Sequence, residues 1–308
     1  MLLRQDAFSA GLSFLKGALH VHTTRSDGED APQTMLKKFE DEGYAFVALT
    51  DHRYYNFANY GDNGLTIIPG MEMDRNCVGT RGRGVHCFHT VCLGPEKDKN
   101  GYAQDERFEG GEVADQEEFQ TLLDDIHAHQ NLTVYCHPGW SATPVCEFAN
   151  LKGNFAMELW NSGCAYENDM DVDNGTYWDR LLVTGHRIFG VAVDDCHHLR
   201  HAGKGWVMVS AKNTVPDILD ALSAGRFYAS CGPRIDDFSV EDGMAHVKCS
   251  SAAWIGFAFG RAPTRITFAE AAPLTEAWFR VPEFYTYIRA VVRDSEGRRA
   301  WTNPIFLK

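Results

Sequence analysis

From residue 17 to about residue 211, short apolar runs alternate with amphipathic stretches, the pattern of strands and helices laid down in turn around a mostly parallel sheet. Strands are predicted at Ala18–Thr23, Ala45–Thr50, Thr66–Pro69, Val85–Leu93, Leu132–Cys136, Phe155–Leu159, Ile188–Val193 and Trp206–Val209. Helices are predicted between them at Pro32–Glu42, Gln116–His129, Thr143–Leu151, Tyr177–Thr184 and Val215–Ala224. Pro32 suits a first helical turn, where its missing N–H costs nothing, and Gly43 suits a left-handed helix end. Two polar segments, Gly94–Asp115 and Asn161–Asn174, stand where strand-to-helix loops belong and are predicted to form walls or lids. Beyond Ile235 the helical pattern gives way to short alternating strands, which predicts a small antiparallel sandwich.

A chain of 308 residues accommodates both parts, and the expected organisation is an α/β barrel over 1–234 with an all-β accessory domain over 235–308. No apolar run approaches the roughly 20 residues of a membrane helix. With 42 acidic against 29 basic residues and a net charge of −13, general binding to nucleic acid or an anionic membrane is excluded as an expectation. Small anions at a locally positive site are still allowed. The nine cysteines form no CxxC pair, and Lys16 interrupts the apolar character of the first segment, so reduced thiols and a cytoplasmic location are expected.

Twelve of the 13 histidines precede residue 202, which places the chemistry in the first part of the chain. Nearly every predicted strand there ends in a side chain able to bind metal: His20 and His22, Asp51 and His52, Glu72, His89, His137, Glu158, and Asp195 with His197. Strand C-termini are where α/β proteins assemble their sites. His20 and His22, two apart in a strand, leave the same face, and Asp195 and His197 repeat that spacing. A lone strand histidine is more often a core or surface residue. Seven strand ends in agreement point instead to divalent ions, because uncompensated burial of so many ionisable groups would cost several kcal/mol each.

These residues, His20-Val21-His22-Thr23-Thr24-Arg25-Ser26-Asp27-Gly28, Thr50-Asp51-His52, Gly70-Met71-Glu72, Cys136-His137-Pro138 and Asp195-Cys196-His197, resemble the successive motifs of the PHP (polymerase and histidinol phosphatase) superfamily, over roughly residues 17 to 232. His89-Thr90-Val91-Cys92-Leu93-Gly94, Met157-Glu158-Leu159-Trp160-Asn161 and Gly225-Arg226-Phe227-Tyr228-Ala229-Ser230-Cys231-Gly232-Pro233 resemble its CehA/McbA-like branch. The resemblance implies a distorted (β/α)7 barrel holding two or three divalent ions. His20 and His22 would bind one ion, with Glu72 bridging to a second. Asp27 and His52 would serve a neighbouring ion, and His89, His137, Asp195 and His197 would complete the shells. His86 competes with His89 and Asp194 with Asp195, the second of each pair being preferred. Glu158 reads equally as a ligand, an acceptor behind a ligand or a sheet residue.

A hydroxide bridging two such ions would be the nucleophile, since bound zinc lowers the pKa of water from 15.7 toward about 7. Glu72 is expected to be essential, with Asp195, Asp51 and His198 as candidate general acids. Arg53, Arg75, Arg81, Arg83, Arg200 and Arg234 lie in predicted loops and are candidates for holding phosphate, although solvated loop charge is the plainer reading of each. Trp140 and Trp160 could stack on an aromatic group or pack against the rim. His127 and His129 read as exposed helix residues. The cysteines read as structural, with Cys136 and Cys196 on the opposite strand face from the ligands. His and carboxylate ligands without thiolate suit Mn, Fe or Zn. The expected activity is hydrolysis of a small phosphorylated metabolite or nucleotide. A carbamate, amide or ester hydrolase using the same metals is the alternative, and a non-catalytic metal-binding module is the third reading. Nothing in the sequence specifies an oligomeric state.

Overall fold

The computed structural model describes residues 4–61, 63–78, 86–96, 99–260 and 265–308. Its fold is mixed α/β, built around two sheets that share the first two-thirds of the chain. One sheet carries six strands in the spatial order Phe189–Val193, Asn154–Asn161, Leu132–Tyr135, His86–Leu93, Gly70–Cys77 and Glu112–Val113. The other runs through Trp206–Ser210, Phe14–Ala18, Phe46–Val47 and Thr66–Ile67. Single bridges join the two at their C-terminal ends, His52 to Glu72 on one side and Val21 to Cys196 on the other.

The mixed α/β class agrees with the expectation, while the distorted (β/α)7 barrel that the resemblance implies is not seen closed here. Among the described residues the two sheets meet only through isolated bridges, and His86–Leu93 runs antiparallel to both neighbours. For the pairing with Gly70–Cys77 the cause is connection length. Gly70–Cys77, a strand that the periodicity did not reveal, is followed within nine residues by the next strand, too short a link for the crossover of a dozen or more residues that parallel pairing needs. Asn161–Asn174, expected as a loop, contains the helix Ser162–Asn168, started by Asn161 Oδ1 accepting from the Cys164 N–H at 2.9 Å.

An apolar layer of Leu19, Ala48, Ile68, Val91, Val134, Cys136, Ala156 and Val191 fills the space between the strands, beneath the site. The helix Pro32–Asp41 begins on its proline and covers the outside with Met35, Leu36 and Phe39 against Ala18, Val21, Val47 and Leu49. Behind the six-stranded sheet, Gln116–Ala128 buries Phe119, Leu123 and Ile126. The site thus stands on a packed floor, with its polar residues raised on strand ends.

In the C-terminal part, Gln5–Asp6, Ile235–Glu241, Met244–Ala252 and Leu274–Arg280 form a four-stranded antiparallel sheet. It packs through Phe238, Val247 and Ala277 on Ile255, Phe257, Ala290 and Val292. Hydrogen bonding passes without a break from Phe227–Ser230 into Arg299–Thr302, so this part extends the second sheet. Buried Arg289 adds a second tie, its guanidinium donating to both Asp179 oxygens at 2.9 and 2.7 Å across the helix Gly175–Val183. Among the described residues no helix is long and apolar enough to cross a membrane.

Candidate metal centre

Four buried side chains from distant points of the chain converge just above the apolar floor. His20 Nε2 and His22 Nε2 lie 3.0 Å apart, and each is 3.2 Å from Glu72 Oε2. Asp195 Oδ1 closes the group at 3.4 Å from His20 Nε2 and 3.2 Å from His22 Nε2. A tetrahedral ion with ligand bonds of about 2.0–2.1 Å requires its ligand atoms to be about 3.3–3.4 Å apart. The five measured edges match that spacing. The chemistry agrees, because two imidazole nitrogens and two carboxylate oxygens aimed at one point lack the protons to satisfy one another, and buried Asp195 Oδ1 receives no hydrogen bond. The group fits a divalent cation.

Glu72 carries the arrangement outward. Its Oε2 is also 3.3 Å from His52 Nδ1, while Oε1 is 2.8 Å from His89 Nδ1 and 3.4 Å from His137 Nε2. One carboxylate thus touches five imidazoles, and it would be shared by any ions that the adjoining groups held. A third group surrounds Asp27, whose Oδ1 is 3.5 Å from His197 Nε2 and whose Oδ2 is 3.5 Å from His52 Nε2. His22 lies between the groups, its Nδ1 turned toward Ser26 Oγ at 3.4 Å and Asp27 Oδ1 at 3.5 Å. Gly28 makes this possible, since a Cβ there would stand 2.7 Å from the backbone of His22. Asp195 and His137 adopt positive φ, 47° and 22°, so two site residues sit in strained backbone held by their surroundings.

The residues that aim these ligands were largely missed in the sequence. Glu158, one of the alternatives left open, accepts from His20 Nδ1 at 2.7 Å through one oxygen, and from the His137 N–H at 2.7 Å and Asn161 Nδ2 at 2.8 Å through the other. It stands behind the ligands and turns His20 Nε2 inward. Asp74 does the same for His52 at 2.9 Å, and Ser141 Oγ for His137 Nδ1 at 2.9 Å. Asn161 Nδ2 also reaches Asp195 Oδ2 at 3.0 Å. The period-two spacing of Glu72 and Asp74 was the available signal for Asp74, and it went unread because no strand was predicted there. Loss of such an outer carboxylate weakens metal binding about 10–100-fold. Glu158→Gln is expected to lower Mn²⁺ affinity by that factor in a calorimetric titration, and unchanged affinity would show that His20 needs no such support.

Burial opposes charge on every group here, yet the mutual arrangement prevails. His20 is raised well above the ordinary imidazole value by Asp195 and Glu72, whereas Glu72 and Asp195 are held well below the carboxylate range by the surrounding histidines. Glu72 lifts His89 to about 10, and Asp27 with Asp195 lifts His197 to about 9. In the metal-free protein these raised groups stabilise the fold most below the unfolded histidine value, and that contribution fades as pH rises through about 9 and 10. A metal ion needs the neutral imidazoles. Its apparent affinity is therefore expected to climb with pH until about 9 to 10, with protons released on binding below that. Calorimetry in buffers of different ionisation enthalpy checks this, and a pH-independent affinity would contradict it.

The cavity over these ligands has a volume of about 290 Å³ and is lined by Asp27, His52, Glu72, His89, His137, Asp195 and His197, with Glu29, Trp140, Glu167 and His198 toward the rim. Of the predicted general acids, Asp195 belongs to the central group. Asp51 points away from the cavity, accepting from the Thr23 N–H at 2.7 Å, from Thr23 Oγ1 and from Ser26 Oγ, and so shapes the loop that carries His22 and Asp27. His198 remains at the rim, its Nδ1 2.8 Å from Glu29. None of the predicted phosphate-holding arginines that the structure describes lines the cavity. Arg53 pairs with Asp74, Arg75 bonds the Asp74 carbonyl at 2.7 Å, Arg200 lies 3.4 Å from Glu167, and Arg234 pairs with Asp236 in the C-terminal part. Arg81 and Arg83 lie outside the described residues.

His86 turns away to Glu147 at 2.8 Å, and Asp194 is occupied with backbone N–H groups, so the structure brings His89 and Asp195 into the site in preference to their competitors. Cys196 faces Met35 beneath the covering helix, as expected. Cys136 does not face away. It lies in the inner layer close to His20 and Glu158, because alternation fails where His137 leaves extended backbone. Trp140 is 44% exposed, its ring edge-on to His137 and His89 at 5.0 and 5.6 Å. Trp160 lines a separate cavity. His129 stacks on Tyr102 at 4.2 Å, and His127 bonds Thr133 at 2.9 Å.

No family model and no curated protein matches the chain. Among solved structures it is similar to a two-domain protein from Bacteroides vulgatus ATCC 8482 described as "containing predicted PHP-like metal-dependent phosphoesterase", with a TM-score of 0.49 and 12% identity over 99% of this chain and 90% of that one. A candidate metal-dependent phosphoesterase from Bifidobacterium adolescentis ATCC 15703 is similar over 59% of this chain and 87% of its own, at 12% identity and a TM-score of 0.40. An amidohydrolase from Chromobacterium violaceum, solved with sulfate and without metal, covers the same shares at 14% identity and a TM-score of 0.41.

Proposed function

We propose that the protein is a metal-dependent hydrolase of the PHP type that cleaves a phosphoester of a small metabolite or nucleotide. The observation that carries this reading is the Glu72 carboxylate, which links the His20, His22 and Asp195 group to His89 and His137 beneath an open cavity. Two or three divalent ions, Mn, Fe or Zn by the donor set, would supply a water of lowered pKa and neutralise phosphoryl oxygens.

The chain's own residues do the remainder. Glu158, Asp74 and Ser141 contact the Nδ1 atoms of His20, His52 and His137 from behind, which would leave their Nε2 atoms for the ions once those had displaced the protons. His198, steadied by Glu29, lines the rim and is the group placed to give a proton to a departing oxygen, since Asp51 and Asp195 are engaged elsewhere. Trp140 supplies an apolar wall that shields the reacting centre from water.

One observation favours the alternative of a carbamate, amide or ester substrate. Among the described residues lining the cavity there is no Lys or Arg, so a second anionic group on the substrate would find acidic neighbours in Glu29 and Glu167. The deciding experiment measures inorganic phosphate released from phosphomonoesters, cyclic diesters and nucleotides by Mn²⁺-reconstituted protein whose metal content is known. Turnover supports the phosphoesterase. Silence from a metal-loaded protein that hydrolyses an aryl carbamate replaces it with the alternative.

A further inference from the structure

A second cavity, of about 400 Å³, lies between the first part of the chain and the C-terminal part. Trp160, Tyr166 and Trp206 contribute aromatic surface from one side, and Arg298, Arg299 and Trp301 stand on the other. Lys16 covers one face of Trp206 at 4.5 Å. Tyr166 is 63% exposed, on the helix Ser162–Asn168 whose Gly163, Cys164, Glu167 and Asn168 face the metal centre. That helix is therefore a partition between two cavities of opposite character. The metal-site cavity has no lining Lys or Arg among the described residues, whereas this one gathers Lys204, Arg298 and Arg299 beside a single carboxylate, Glu296, in a chain of net charge −13.

The cations are set at the rim. Asp294 holds the Arg298 guanidinium at 2.8 Å and Glu296 lies 3.3 Å from it, while Asp173 anchors Arg299, so both arginines are already paired and Lys204 is the cation left for a ligand. Lys204 has no carboxylate partner among the described residues, and its backbone is fixed by donation to Asp194 at 2.9 Å, which leaves its exposed side chain free to reach across the opening.

We propose that this cleft is a binding site, distinct from the metal centre, for a planar aromatic anion of mononucleotide size, the ring lying against Trp160 and Tyr166 and the anionic group meeting Lys204. Aromatic walls beside an unpaired cation in a cleft of this size are the recognition chemistry of such ligands.

The test is binding of adenosine 5′-monophosphate to the full chain in excess chelator, followed by equilibrium dialysis and by quenching of the wall tryptophans. Adenosine and ribose 5-phosphate serve as the ring and the anion alone. Saturable binding of the monophosphate is expected, at least about tenfold tighter than either fragment and weakened about tenfold or more in both Lys204→Glu and Tyr166→Ala. Both substitutions are at exposed side chains outside the metal centre, and far-UV dichroism verifies the fold. Failure to bind, or binding unchanged in the two variants and hence located at the metal-free histidines, overturns the proposal.

Discussion

Glu72→Gln is expected to abolish hydrolysis, lowering turnover by about 10³-fold or more, and to strip the protein of at least one bound ion. The carboxylate is fully buried and within 3.4 Å of nitrogen atoms of five histidines. An amide keeps the shape but loses the charge and offers an NH₂ to at least one imidazole nitrogen that needs an acceptor or an ion. No neighbouring side chain can replace it, because Asp195 is already engaged with His20, His22 and His197 and Asp74 stands behind His52. Metal counting beside a turnover assay checks both halves of the expectation. A fully active variant retaining its ions would falsify the metal centre as described.

Asp194→Ala is expected to destabilise the fold by about 3–5 kcal/mol, lowering the melting temperature by on the order of 10 °C. The buried carboxylate accepts from the N–H groups of Gly203, Lys204 and Gly205 at 2.8, 2.9 and 2.8 Å and from Ser162 Oγ at 3.0 Å. Burial lifts its pKa to about 6 against the pull of those donors, so it is ionised at neutral pH and accepts from all four. Alanine leaves them unsatisfied in the interior. Thermal unfolding of the metal-free protein isolates this effect from any loss of metal. A shift within about 2 °C would show that water replaces the carboxylate and that the turn is not held by Asp194.

The two adjacent aspartates show how far reading the residues could go. The D-x-H spacing pointed to Asp195 over Asp194, and the geometry places Asp195 against two histidines and Asp194 against backbone. Likewise His89 was preferred over His86 from strand periodicity, and only His89 reaches Glu72. Spacing gave the side-chain direction at these pairs because extended backbone sets that direction locally. It failed for Cys136, where a positive φ at the next residue interrupts the alternation. It failed also for the arginines, since loop position says nothing about which carboxylate, such as Asp74 or Asp236, will capture a guanidinium.

By itself the sequence determined the inventory of the candidate site: alternating strands and helices, and side chains able to bind metal at strand ends. Those properties follow from local periodicity and from the chemistry of residue types. Tertiary structure alone decided that His86–Leu93 runs antiparallel, that Glu72 lies among five histidines, and that Glu158, Asp74 and Asn161 stand behind the ligands. Each depends on contacts between residues far apart in the chain. Whether a carboxylate faces a cluster of imidazole nitrogens, stands behind one imidazole or ties down a turn is set by what the fold packs against it, and side chains of identical chemistry take all three positions here.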